Sequence, residues 1–564
     1  MGYILGINEL LHDTSAVLLE DGKLIGAVEE ERLSGEKHAL GFCLMGKPPS
    51  YSVSWCLDYF GVSEKEIDAV AVSFDVNAIT MMKMLFNIFS EAIQKMSVKS
   101  AFKQRSKNDP GMNIIPGATI GFFLRRRAYF AELRRRFKEV VFVKHHLAHA
   151  ASAYYCSGFD RANVFVTDGV GDESPTSLYY GRDGELIPIK QFHPHQSLGT
   201  LYRTVSQICG FVYFDAGKTM GLSAYGTPRD ELGEYLSIYP YSYNIDFKPL
   251  RQLWKFARDD GQPIMDIHRD IAATLQERLE AAGMEMTRLM HAKTGCRNLC
   301  LGGGVSLNCL MNSVLLNSGM VDDIFVQPAA MDMGAALGAA IWVAHLKGQP
   351  RPDVMQDAYL GPEYSNDEIK AVLDSTPGIE YKHHEQIEKP VAKHLAENKT
   401  VGWFQGRMEF GPRALGARSI LASPIQPYMK DVVNDIKGRE RWRPLAPAVL
   451  EERMAEWFHN PHPSPFMTLN FQFKDAVKEK VPSVVHADGS ARVQSVPKNS
   501  RGKRYRRLLE EFEKLTGVPM LLNTSYNERG VPIVCAPKHA LASFTNTALD
   551  YLAIGNFLVS KKKG

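Results

Sequence analysis

Residues 163–192 read NVFVTDGVGDESPTSLYYGRDGELIPIKQF. The run opens with a strand-like NVFVT, passes a turn rich in Gly and Asp, and continues as strand, Asp-Gly turn and strand. An Asp-Gly pair between apolar runs is a strong hairpin signal. The same pattern stands at the start of the chain. YILGI (residues 3–7) is followed by a turn holding His12 and Asp13, then SAVLLE, Asp21-Gly22 and KLIGAVEE. DGKLIGA and DGELIPI are alike even in their letters. A strand–turn–strand unit used twice predicts a duplicated α/β domain, with a cleft between its halves and the two polar turns facing each other across it.

The stretch just before the second copy carries the chemistry. In VFVKHHLAHAASAYY, His145 and His149 stand one helical turn apart and share a helix face. A lone H-x-x-x-H more often marks core histidines than a metal pair. Here NVFVT ends in Asp168, and Asp332 precedes a small-residue helix in IFVQPAAMDMGAALGAA. Asp332 reads either as a helix cap or as a fourth ligand. A His/His/Asp set suits Zn, Fe or Mn better than Ca or Mg. Between these acids, NLCLGGGVSLNCLMNSVLL predicts a strand, a turn at Gly302-Gly303-Gly304 and a helix, an arrangement that offers N–H groups to an anion or nucleotide. DAGKTMGLSAYGT (215–227) adds further glycine turns around Lys218, and residues 267–293 predict a long amphipathic helix.

Composition bounds the function. The chain has 564 residues, enough for two or more domains; 45% are hydrophobic and 23% charged, as in a globular protein. Lys and Arg number 66 against 63 Asp and Glu, a net charge of +3 that gives no reason to expect a nucleic-acid partner. The eight cysteines are scattered and mostly lie in apolar contexts, as expected of reduced thiols; Cys296, Cys300 and Cys309 read as core residues. The opening MGYILGINELLHD lacks the basic-then-apolar pattern of a secretory leader, and no apolar run is long enough to span a bilayer, so a cytoplasmic protein is expected. Residues 77–140 predict two helices around a loop. Their clusters Arg125–Arg127 and Arg134–Arg136 are expected on solvated faces.

The Pro-rich segment 346–365, LKGQPRPDVMQDAYLGPEYS, is the expected linker, dividing a first domain (1–345) from a second (366–564). The second domain is rich in guanidinium groups beside glycines and amides. GPRALGARSILASP holds Arg413 and Arg418. NDIKGRERWRPLAPAVL holds Lys437, Arg439, Arg441 and Arg443. HADGSARVQSV holds Arg492, and LLNTSYNERGVPIV holds Asn523, Ser525, Asn527 and Arg529. Such a set suits a phosphate or carboxylate ligand, bound through paired hydrogen bonds, although some of these arginines are expected in ordinary salt bridges.

HHLAHAASAYY, VTDG, GKTMGLSAYG, GGGVSLN, GPRALGARSI, WRPLAPAVL and LNTSYNERG occur in this order along nearly the whole chain. In them the chain resembles the NodU/CmcH family of O-carbamoyltransferases. The resemblance implies an N-terminal domain of the actin/hexokinase-like (ASKHA) superfamily and a C-terminal YrdC-like α/β domain. It implies ATP and carbamoyl phosphate as substrates, with Mg able to accompany ATP, and a carbamoyl-adenylate intermediate. The acceptor would be a hydroxyl of a small-molecule natural product, with no nucleic acid and no membrane; a homodimer is compatible. By motif, His145, His149, Asp168 and Asp332 would hold Fe(II), or another divalent metal such as Zn or Mn. Gly303, Gly304 and Asn308 would contact nucleotide. Arg413, Lys437, Arg443, Arg492, Asn523 and Ser525 would hold carbamoyl phosphate or ATP. His12 and Lys37 would lie near the transfer site, with His12 as general base.

Other readings make different demands. A small-molecule kinase or ATPase of the same superfamily leaves HHLAHA and the second domain unexplained. A tRNA threonylcarbamoyl-transfer protein needs a nucleic-acid surface. A zinc metallopeptidase needs an H-E-x-x-H that the chain lacks.

Overall fold

The computed structural model describes residues 2–9, 12–40, 48–75, 116–212 and 214–562; of residues 116–125 only the backbone is described. The helix expected at 77–96, the loop after it, Cys43 and the Arg125 side chain lie outside the described residues. The chain forms two compact units. One comprises Met1–Glu30 and His38–Val354, the other Glu31–Lys37 and Met355–Gly564. This differs from the simple split expected from sequence, because Glu31–Lys37 goes with the second unit. Nor is 346–365 a free tether. Arg351 donates to the carbonyls of Tyr155 and Phe159, and Leu360 N–H donates to Met408 O.

The first unit contains two sheets built alike. β1 (Tyr3–Asn8), β2 (Ser15–Glu20) and β3 (Lys23–Glu29) form an antiparallel meander; β4 (Ile67–Val72) and β5 (Val140–Phe142) add in parallel on the other side of β1. β6 (Arg161–Thr167), β7 (Thr176–Arg182) and β8 (Glu185–Gln191) repeat the meander. A small hairpin, β9 (Leu236–Tyr239) and β10 (Ser242–Ile245), intervenes before β11 (Asn298–Gly302) and β12 (Asp323–Val326) complete the second sheet in parallel. The orders β3-β2-β1-β4-β5 and β8-β7-β6-β11-β12 are the same pattern used twice. The two hairpins detected in sequence are therefore the ends of two equivalent sheets.

Among the helices, α1 (Pro116–Arg136) carries Arg134, Arg135 and Arg136 on solvent, as expected, but Arg126 is buried against Glu9 at 2.8 Å. α2 (His145–Ser157), α3 (Asp266–Thr294), α4 (Cys309–Leu316) and α5 (Asp332–Leu346) follow. α5 is apolar nearly all round, which suits a helix enclosed on its faces. Its small residues let it lie directly on α2: a side chain at Gly338 would run into the Ala148 carbonyl. Asp332, the first residue of α5, is thereby brought down onto the histidine helix.

The second unit is a nine-stranded mixed sheet. Its strands are β13 (Ile379–His383), β14 (Val401–Phe404), β15 (Arg418–Ala422), β16 (Ala446–Leu450), β17 (Leu469–Gln472), β18 (Ser490–Val496), β19 (Met520–Ser525), β20 (Tyr551–Ile554) and β21 (Phe557–Lys561). They run in the order β13-β21-β20-β14-β15-β19-β16-β18-β17. Both units are mixed α/β. Burial pushes the thiols of Cys156, Cys209 and Cys300 up to about 12, so they are inert core groups; Cys296 is half-buried. Among the described residues no helix is long and apolar enough to cross a membrane.

Candidate active sites

In the first unit, His145, His149, Asp168 and Asp332 converge, each offering a ligand atom within 4.8 Å of the others. Three elements bring them together. α2 presents the two imidazoles on one face, β6 runs out into Asp168, and α5 begins at Asp332. His145 Nε2 lies 3.1 Å from His149 Nε2, 3.4 Å from Asp168 Oδ2 and 3.7 Å from Asp332 Oδ1; His149 Nε2 lies 3.2 Å from Asp168 Oδ2. Ligands about 2.1 Å from a tetrahedral ion stand roughly 3.4 Å apart, which these separations bracket.

The surroundings fit a cation. Ser73 O lies 3.3 Å from His145 Nδ1; a ring proton held there would leave Nε2 as a lone-pair donor to a metal. The Asp332 Oδ2 atom is buried and has no hydrogen-bond partner among the described residues. Burial raises the Asp332 pKa, while burial and the neighbouring His145 lower that of His149. Burial works against ionisation of Asp168 too, but hydrogen bonds from His145 and His149 outweigh it and hold its carboxyl well below the usual range. A buried group of two imidazoles and two carboxylates is balanced by a divalent ion.

Two carboxylates support the site, of which Asp172 was not singled out in the sequence. Asp172 Oδ2 accepts the His145 backbone N–H at 2.6 Å and caps α2 from 27 residues away. Lys144, at the local N-cap position, supplies no side-chain cap to the helix and pairs with Glu173 instead. Asp13 holds His12 Nδ1 at 2.8 Å. Burial lowers the His12 pKa, yet the charges of Asp332, Asp13 and Asp168, with the Asp13 bond, raise it to about 9. The polar turn of the first hairpin is thus electrically coupled to that of the second.

The glycine turn has a role the sequence did not disclose. Gly303 sits at φ 85°, where a side chain would strike the Thr167 carbonyl, and Gly304 faces Asp168 Oδ1. Close packing against the acid-bearing strand is the first demand on these residues. Asn308, expected at a nucleotide, caps α4 by accepting from Met311 N–H at 3.0 Å and exchanges two hydrogen bonds with Gln276. Its amide is therefore committed locally, apart from one Nδ2 hydrogen.

The second unit gathers cations. Lys437 ends helix α6 (Met429–Ile436), Arg439 and Arg443 follow it, Arg492 stands on β18, and Asn523 and Ser525 stand on β19. Buried Lys437 donates to the Ser525 carbonyl and to Asn527 O and Oδ1 (2.8 and 2.9 Å); Ser525 Oγ lies 3.3 Å away. Burial, then the charges of Arg439, Arg443 and Lys37, press its pKa well below the ordinary lysine value. Burial and the charges of Arg443 and Arg492 likewise push Arg439 down to about 9. A guanidinium stays charged at neutral pH, so this depression reflects first a positive charge taken from water and then its like-charged neighbours, both of which an anion would relieve. Asn523 spends both Nδ2 hydrogens on Ala414 O and Gln494 Oε1, leaving Oδ1 buried as an acceptor.

One sequence expectation needs correction. Arg418 serves the fold: it donates to the carbonyls of Gln405, Gly406, Ala417 and Pro362 and lies 3.6 Å over the Phe404 ring. Lys37, expected near the transfer site with His12, clusters with residues of the second unit. The chain leaves β3 through the short helix Glu30–Ser34, a long-range path that no local motif announces.

Comparison with known proteins finds relatives along most of the chain. A family model described as "Carbamoyltransferase N-terminus" matches residues 3–341, and one described as "Carbamoyltransferase C-terminus" matches residues 392–561. The chain is 36% identical to nodulation protein NolNO of Sinorhizobium fredii, over 98% of this chain and 80% of that protein. It is 38% identical to nodulation protein NolO of Bradyrhizobium diazoefficiens, over 74% of this chain and 79% of that one. Nodulation protein U of Sinorhizobium fredii is 42% identical over 45% of this chain and 44% of its own. The family models and these relatives define the chain as a carbamoyltransferase. The chain belongs to the carbamoyltransferase family, the group of the nodulation proteins NolO and NodU.

Proposed function

We propose that the protein is an ATP-dependent O-carbamoyltransferase that draws its carbamoyl group from carbamoyl phosphate and delivers it to a hydroxyl of a small-molecule natural product. The observation that carries this reading is the crowding of Lys437, Arg439, Arg443 and Arg492, whose mutual repulsion calls for a phosphate-bearing ligand. The second unit, read as YrdC-like, would charge the group. Water hydrolyses carbamoyl phosphate to carbamate and inorganic phosphate. The carbamate oxygen then attacks the α-phosphorus of ATP, forming carbamoyl-adenylate and expelling pyrophosphate. Lys437 and the arginines neutralise the charge that gathers on the transferring oxygens. Asn523 Oδ1, an acceptor, would take a hydrogen bond from the carbamoyl NH2 rather than contact phosphate.

The first unit would unload the group. Its repeated sheet order supports the actin/hexokinase-like reading, with nucleotide near Gly303 and Gly304. His145, His149, Asp168 and Asp332 would hold a divalent metal, Fe(II) or alternatively Zn or Mn. When bound, such an ion supplies Lewis-acid polarisation of the carbamoyl oxygen or the adenylate. The acceptor oxygen attacks the carbamoyl carbon, AMP departs, and the hydroxyl proton passes to His12 Nε2 while Asp13 holds Nδ1. Asp332 and Asp168 raise His12. Once ligation neutralises those carboxylates, the imidazole returns toward the range of a base.

Incubation with ATP and carbamoyl phosphate, without acceptor, tests the scheme. Pyrophosphate and carbamoyl-adenylate should appear only when both substrates are present. Pyrophosphate at the level seen with ATP alone would refute it.

A further inference from the structure

We infer that the N-terminal segment Glu31–Lys37 is a working part of the second unit's anion site: Arg32 positions the loop that carries Arg413, and Lys37 adds its charge to the cluster around Lys437. The inference rests on the reading above that this unit binds phosphate groups.

The segment is anchored, not merely adjacent. Arg32 is 3% exposed; its Nη2 donates to Gly411 O at 2.9 Å, and Nη1 pairs with Glu31 Oε1 at 2.8 Å. Leu33 packs against Met408, Ile533 and Cys535. Gly411 takes φ 122°, so its carbonyl points where few residues could place it. At the far end of the same loop, Glu409 Oε1 gathers the N–H groups of Leu415, Ala417 and Arg418 at 2.7, 2.7 and 3.2 Å. Asn523 Nδ2 donates to Ala414 O, and Trp403 Nε1 to Gly416 O. Arg413 lies between the two anchorages, with Arg32 at one end of the loop and Glu409 at the other. A loop fixed at both ends holds a guanidinium in place before ligand arrives, which lowers the ordering entropy that binding must overcome. Beyond Arg32 the chain continues, still packed with the second unit, to Lys37, an exposed residue whose charge bears on Lys437.

The residues therefore make different predictions. Lys37 should act by charge, so its removal weakens anion binding and flattens the salt dependence of that binding. Arg32 should act through the Gly411 carbonyl, so a lysine, which can still donate to it, should restore part of what alanine removes.

The test uses the full chain and pyrophosphate as probe, titrated by calorimetry at two ionic strengths, followed by acceptor-free charging kinetics. Lys37→Ala should weaken pyrophosphate binding about 5- to 10-fold at low salt and less at high salt. Arg32→Ala should raise the KM for carbamoyl phosphate by roughly 10-fold or more, with kcat changed less, and Arg32→Lys should recover part of that loss. Because Lys37 is exposed, its variant should melt like the wild type, which keeps the test decisive even if Arg32→Ala folds poorly. If the wild type binds pyrophosphate and Lys37→Ala binds it equally well with an unchanged salt dependence, the inference is overturned while the anion-site reading stands. If the wild type itself does not bind pyrophosphate, that reading fails and takes the inference with it.

Discussion

The two units solve opposite electrostatic problems. In the first, imidazoles and carboxylates crowd together, and what would relieve them is a cation. In the second, an ammonium and several guanidinium groups crowd together, and what would relieve them is an anion. Each site gathers ionisable groups at close quarters in a buried or half-buried setting, where their interactions are stronger than in water. Neither arrangement serves stability alone. A protein optimised only for folding would place these charges on its surface or pair them internally. Carboxylates gathered with imidazoles in one unit and cations gathered in the other point to two ligands of opposite sign.

The sharpest way to break this comparison is to empty one site and ask whether the other notices. His149→Ala removes one imidazole of the convergent four. Loss of groups merely supporting a metal ligand costs about 10- to 100-fold in affinity, so loss of a ligand should cost more than about 100-fold. Co(II) titration followed by its visible spectrum should show that loss. Transfer to acceptor should collapse, while acceptor-free pyrophosphate formation continues at the wild-type rate. The mirror experiment is Lys437→Met. It should lower kcat/KM for carbamoyl phosphate by roughly 100-fold and leave the Co(II) spectrum as it was. If either variant disables both readouts, the two sites are not chemically separate.

The halves of this comparison were unequally legible in the sequence. The first unit announces itself because its signals are local. Asp-Gly turns mark the hairpins, H-x-x-x-H fixes two side chains on one helix face, and Asp168 and Asp332 stand at the ends of obvious elements. What was not legible there depends on distance along the chain, such as Asp172 capping α2 from 27 residues away. The second unit shows its composition but hides its assignments. Arg413, Arg418 and Arg443 look alike as letters, yet Arg418 turns inward onto a set of carbonyls and the Phe404 ring. Arg126 likewise reads as a solvated helix residue and is buried against Glu9. Lys37 joins a unit that otherwise begins at Met355, which no local pattern could reveal. The meaning of Gly303 was also hidden, because only the fold shows the Thr167 carbonyl beneath it.

A smaller effect tests the electrostatics of the first unit through pH. The folded pKa of His12, about 9, lies above its ordinary 6.5. A raised pKa stabilises the fold fully below about pH 6.5, and that contribution is lost as pH rises toward 9. The shift corresponds to about 3 kcal/mol in the metal-free protein. Denaturant midpoints of chelator-treated protein should therefore fall between pH 6.5 and 9, and His12→Asn should flatten the fall. Adding Co(II) should flatten it as well, since ligated Asp332 and Asp168 no longer hold the imidazole protonated. A midpoint that rises over this window would contradict the sign of the coupling.

The mildest perturbation addresses which residues beside the glycine turn serve the fold and which the ligand. Asn308→Ala removes the cap of α4 and leaves Gln276 without its partner amide. Loss of such a cap costs about 1 kcal/mol, typically between 0.5 and 2. The unpaired Gln276 amide is not isolated, because its Nε2 also donates to Glu280 at 2.8 Å and its Oε1 accepts from Tyr202 at 3.0 Å. The expected result is a modest drop in denaturation midpoint. The KM for the adenylate in the transfer half-reaction, measured with carbamoyl-adenylate supplied directly, should change by less than about threefold. A large rise in that KM at unchanged stability would show that the remaining Nδ2 hydrogen of Asn308 reaches the nucleotide, restoring to the residue the ligand role its local bonds otherwise leave little room for.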